Sequence, residues 1–153
     1  MAWLIELHTE SHYDDPPFIH KEDVMTTLII CLFIAVLMPY LAKIPIIYAI
    51  KDARLGYDNN HPRTQQAQLQ GFGARAAAAH QNSFESLIVF STAALTALVT
   101  NNTSSKIQVL ALVYIVARVI YHIAYLIDFA SLRSTIWFIS LVCCFAMIWI
   151  CIP

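Results

Sequence analysis

Four long apolar runs organise the chain, from Val24 to Ile50, Ala76 to Thr100, Ile107 to Ile127 and Leu132 to Ile152. A helix needs about 20 residues to cross a hydrocarbon core of about 30 Å. The pattern therefore predicts four membrane-spanning helices. Pro39 and Pro45 lie inside the first run. Membrane helices tolerate such prolines because neighbouring groups satisfy the freed backbone, so a kink is expected there rather than an end. The first linker, "KDARLGYDNNHPRTQQAQLQGFG", is long and polar, with turn formers at Gly56, Asn59, Asn60 and Pro62. The second, "NNTSSK", and the third, around "DFAS", are short and make their flanking helices antiparallel neighbours. The expected fold is an all-α integral membrane four-helix bundle, with a polar N-terminal tail over 1–23 and the helical domain over 24–153.

Polar groups inside the runs break the apolar pattern at three places. In "RAAAAHQNSFES", Arg75, Ala78, Asn82 and Glu85 follow one helical stripe by steps of three, four and three, while His80 and Gln81 fall on other faces. Glu85 lies about 15 Å along the helix from Arg75, so the carboxylate is well inside the span. In "VYIVARVIYHIAYLID", Tyr114, Arg118, Tyr121 and Tyr125 step by four, three and four, with His122 adjacent. Arg118 lies about halfway along its span, where a cation costs about 3 kcal/mol on insertion scales. Glu85 is the acid at comparable depth, so a Glu85–Arg118 ion pair is expected. The fourth run opens on "LRSTIW", which puts Arg133 and Ser134 at its interface. An interhelical hydrogen-bond cluster or an interfacial arginine explains each feature singly. Together they predict a polar, cationic pocket lined from the second, third and fourth helices.

Composition fits this picture. Of 153 residues, 59% are hydrophobic and 12% charged, against about 25% charged in soluble domains. The net charge of −1 and the lack of any basic tract exclude a nucleic-acid partner. Cys31, Cys143, Cys144 and Cys151 all fall in apolar runs without zinc-type spacing, and read as small buried residues rather than a metal site. His8, His12 and His20 are irregularly spaced around Pro16 and Pro17 and read as solvated. The tail lacks the basic start and adjoining apolar core of a signal peptide. It holds six acids and one Lys, whereas the first linker and its flanks carry Lys51, Arg54, Arg63 and Arg75. The positive-inside rule then puts the first and third linkers in the cytoplasm and both termini on the other side. Lys106 opposes this, and Asn101 and Asn102 each begin an N-x-S/T sequon on the second linker. No triad order, nucleotide loop or HExxH sequence occurs, which removes hydrolase and NTPase readings.

The stretches "RAAAAHQNSFESLIVF" and "ARVIYHIAYLIDFASLRS", with the loop "GYDNNHPR", resemble the MAPEG family (membrane-associated proteins in eicosanoid and glutathione metabolism), its bacterial branch in particular. The resemblance covers roughly residues 40 to 140. It implies a homotrimer of four-helix subunits that binds glutathione between neighbours near the cytoplasmic side. Carried over by motif position, Asn82 and Glu85 match the glutathione-binding pair. Tyr121 and Tyr125 match third-helix contacts to the tripeptide. Arg133, with Ser134 beside it, matches the arginine that holds the glutathione sulfur as thiolate. Arg75 and Arg118 would then meet carboxylates, and a lipophilic second substrate would arrive from the bilayer. Two positions depart from the family pattern. Ala78 stands where many members carry an Arg, and Trp137 where some carry a Tyr. The resemblance thus implies a glutathione transferase- or peroxidase-like protein, with glutathione as substrate and no metal. The departures and the acidic tail leave open a non-catalytic MAPEG-like subunit of a larger membrane assembly, and a small lipid- or anion-binding channel is a third reading.

Overall fold

A computed structural model describes residues 21–53, 56–102 and 104–153. The polar tail and its three histidines lie outside the described residues, apart from the first turn of helix α1. Among the described residues five helices follow in order: α1 Lys21–Asp52, α2 Pro62–Ala67, α3 Phe72–Val99, α4 Ser105–Leu126 and α5 Ala130–Ile150. Four of them, α1, α3, α4 and α5, are long and apolar enough to cross a membrane.

Helix α1 runs without a break through Pro39 and Pro45. A neighbour reaches the first of these sites, where the imidazole Nδ1 of His80 on α3 donates to the Pro39 carbonyl at 2.8 Å. From Gly56 onward the first linker holds more regular structure than its turn formers imply. Asp58 Oδ1 accepts the backbone N–H of Asn60 at 2.8 Å and of His61 at 3.0 Å. This Asx turn leads into α2, which Pro62 opens at a position where its missing N–H costs nothing. Gln65, buried on α2, ties the linker down by accepting the Asp58 N–H at 3.1 Å and donating to the Gly56 carbonyl.

The two short turns share one device. Asn101 and Asp128 adopt positive φ of 55° and 63°, the left-handed conformation that ends helices and that Asn and Asp tolerate best after glycine. Each lets the next amide reach five residues back, Asn102 to Ala97 at 3.0 Å and Phe129 to Ala124 at 2.9 Å. Asn102 also donates from its side chain to the Ile150 carbonyl at 3.0 Å, pinning this turn to the end of α5.

Helix α1 packs chiefly on α3, and α4 on α5. Alanines dominate the buried face of α3 (Ala76, Ala79, Ala93, Ala94 and Ala97), and small residues allow the close approach that drives helix association in lipid. The main core gathers Leu28, Phe90, Ile107, Tyr114 and Met147 with Cys31, Cys143 and Cys144. Phe90 and Tyr114 stack with centroids 4.0 Å apart and planes 3° from parallel. Three of the four cysteines are therefore buried packing residues. The outer surfaces of all four long helices expose Leu, Ile, Val and Phe, as a lipid-facing protein requires.

Candidate functional site

The polar groups of α3, α4 and α5 meet as one relay. Arg118 projects from the buried face of α4, with 0% of its surface exposed. Its Nη2 donates to Asn82 Oδ1 at 3.0 Å and lies 3.4 Å from the Asn82 carbonyl. Asn82 in turn donates from Nδ2 to Glu85 Oε2 at 3.1 Å. The expected Glu85–Arg118 ion pair is thus corrected to an indirect one, with the Asn82 amide between the two charges. The reason is geometric. Asn82 and Glu85 are one helical turn apart, and the shorter side chain reaches inward while Glu85 remains exposed.

The relay continues along α4 through ring faces. The Arg118 guanidinium carbon lies 4.1 Å from the Tyr121 ring centroid. Tyr121 meets Tyr125 edge-on, with centroids 5.2 Å apart. Arg133, from the first turn of α5, places its guanidinium 4.5 Å from the Tyr125 centroid. Cation–π contacts hold both arginines without using their N–H groups. That leaves donors free for another partner. Among the described residues, Nε and Nη1 of Arg118 are buried without one.

Two cavities flank this relay and share the wall made by Trp137. The inner one, about 110 Å³, is lined by Asn82, Glu85, Ser86, Tyr114, Arg118 and Cys144 among others. The outer one, about 490 Å³, is lined by Tyr121, Arg133, Ser134, Trp137 and Phe138. The single pocket expected from the sequence is therefore two: Asn82, Glu85 and Arg118 line the inner cavity, Arg133 and Ser134 the outer one, and Trp137 stands between them. Arg75 does not join them. Its Nη1 pairs with Asp128 at 3.3 Å, a contact that fastens α3 to the α4–α5 turn. Ala78 is exposed, and His80 and Gln81 lie off the relay, as the helical stripe predicts.

Two contributors, Ser83 and Ser86, were not legible as site residues, whereas their partners Tyr114 and His122 lie on or beside the stripe expected on the third span. Ser86 and Tyr114 share a hydrogen bond at 2.8 Å and line the inner cavity. Ser83 Oγ and His122 Nε2 are 2.6 Å apart, while His122 Nδ1 donates to the Arg118 carbonyl at 2.6 Å and so braces the arginine's own turn. Ser83 and Ser86 differ from ordinary span serines only in what α4 places opposite them. No group of three His, Cys, Asp or Glu that could hold a metal occurs among the described residues.

The match to known families comes from the whole helical region. Residues 27–153 fit the model of the MAPEG family. The chain belongs to the MAPEG family. This makes it an integral, multi-pass membrane protein of a family concerned with glutathione and eicosanoid metabolism. Comparison with curated proteins and with solved structures returned no match in either set.

Proposed function

We propose that this MAPEG protein is a glutathione transferase- or peroxidase-like enzyme acting on a lipophilic electrophile or hydroperoxide. The observation that carries the proposal is the position of Arg133. It stands in a cavity of about 490 Å³, within the usual range of ligand sites, against Tyr125 and beside Ser134. Asn82 and Glu85 lie one relay away.

A free thiol has a pKa near 8.5, and its thiolate is the nucleophile. Bringing that value down by two units takes about 2.7 kcal/mol of preference for the charged form. A partly buried guanidinium with unspent donors is suited to supply it. Arg133 would hold the glutathione sulfur as thiolate, with Ser134 available as a second donor. Glu85, Asn82, Tyr121 and Tyr125 would position the tripeptide. Arg118, being fully enclosed, acts mainly by fixing Asn82 and Tyr121, and reaches only a group entering the inner cavity. With an electrophile, the thiolate forms a carbon–sulfur bond and expels the leaving group. With a hydroperoxide, two glutathione thiols give the disulfide, an alcohol and water.

A homotrimer fits the exposed position of Glu85. The residue is about 20 Å along α3 from Phe72, too deep for an uncovered carboxylate in lipid. A neighbouring subunit would cover it and complete the glutathione site. The charge of the first linker favours placing that linker and the α4–α5 turn in the cytoplasm.

The second reading is a non-catalytic subunit of a larger assembly, favoured by three observations. Ala78 is exposed and unreplaced, Arg75 is engaged with Asp128, and Trp137 offers no phenol. Stopped-flow ultraviolet absorbance of the glutathione thiolate on purified protein separates the two. A thiolate signal that Arg133→Ala removes, with the oligomer intact, supports catalysis. No signal together with no glutathione binding by calorimetry overturns it.

A further inference from the structure

A separate cavity of about 410 Å³ lies where the end of α1 meets the start of α3. Tyr48 and Asp52 from α1 and Phe72 from α3 form its sides, and Ala49, Leu69 and Gly73 its floor. The floor is closely made. A Cβ at Gly73 would stand 3.0 Å from Leu69 Cβ and 3.1 Å from Ala49 Cβ, so glycine is what lets α3 approach α1 here. The walls combine two exposed aromatic residues, Tyr48 at 67% and Phe72 at 38%, with one carboxylate and the neutral amides of Gln68 and Gln70. Asp52 is the one charged residue of the lining and has no ion pair among the described residues. Lys51, its neighbour in the last turn, does not line the cavity.

We propose that this cavity binds the ammonium end of a zwitterionic phospholipid headgroup. Three properties select that chemistry. A carboxylate at a helix C-terminus adds to the negative end of the helix dipole, and only a cation relieves both. Aromatic faces beside a carboxylate are the usual enclosure for ammonium groups. The depth is that of headgroups, because the span of α1 ends at Asp52 and the span of α3 begins at Phe72. The site shares no residue with the glutathione relay and does not rest on that reading.

The test uses the full chain in nanodiscs of equimolar phosphatidylethanolamine and phosphatidylglycerol, released into native mass spectrometry. The wild-type chain retains phosphatidylethanolamine in preference. Asp52→Asn lowers that retention about tenfold, the weight of a charge-assisted hydrogen bond. Tyr48→Leu with Phe72→Leu lowers it about fivefold through loss of the ring faces. Asp52 is exposed, so its variant keeps the wild-type melting temperature and decides the matter if the aromatic pair fails to fold. Equal retention of the two lipids, or retention unchanged in Asp52→Asn, overturns the proposal. Displacement of the lipid by free ethanolamine at matched concentration also overturns it, by assigning the site to a soluble amine.

Discussion

Arg118 and Arg133 flank the same tryptophan wall, and each lies over a tyrosine ring of α4, yet their surroundings assign them different work. Arg118 is enclosed, bonded to Asn82 and surrounded by Tyr114, Ser86 and Cys144 in a cavity too small for a tripeptide. Arg133 has a similar ring contact but opens on a cavity more than four times larger. The inner arginine organises helices, whereas the outer one is available to a ligand. Residue identity and ring contact are alike in the two cases. Enclosure makes the difference.

The largest effect expected from breaking this contrast is on stability. Arg118→Ala removes a buried bond, a ring contact and much packing volume, and should cost about 3 kcal/mol, read as unfolding in mixed micelles. Arg133→Ala should cost less, about 1 kcal/mol, the weight of its ring contact with Tyr125. On the function proposed above, its effect should fall instead on glutathione, with loss of the thiolate absorbance signal that about 2.7 kcal/mol of stabilisation would produce. If Arg118→Ala removed thiolate without destabilising the protein, the assignment of roles would be reversed.

Smaller changes sharpen the comparison. Glu85→Gln keeps the Asn82–Arg118 bond but removes the charged acceptor, and should weaken glutathione binding about fivefold by calorimetry. Tyr125→Phe preserves the ring face under Arg133, so thiolate formation should change less than twofold, roughly 0.4 kcal/mol. A large loss with Tyr125→Phe would instead show that the phenol itself contacts the sulfur.

Much of this architecture was legible in the sequence. The four apolar runs agree with the four long helices within a few residues, because the hydrocarbon thickness sets their length and backbone satisfaction sets their form. The stripe at Asn82 and Glu85 and the stripe at Arg118, Tyr121 and Tyr125 were readable from helical phase. Three things were not. Helix α2 depends on an Asx turn and on Gln65 reaching back across the linker. The direct Glu85–Arg118 pair was inferred from depth, but depth does not say which of two residues a turn apart reaches the cation. Arg75 shared the stripe, and only the course of the α4–α5 turn brought Asp128 close enough to engage it.

The sequence by itself thus determined the number of spans, their approximate ends, the polar residues they carry and the family. These follow from one-dimensional quantities: run length, periodicity and motif spacing. Only the tertiary structure decided which polar groups touch. It put Asn82 between the two charges, closed Arg118 away, left Arg133 facing the larger cavity and turned Arg75 toward Asp128. The physical reason is that hydrogen bonds and enclosure depend on separations of a few ångströms between helices far apart in the chain, which helical phase does not specify.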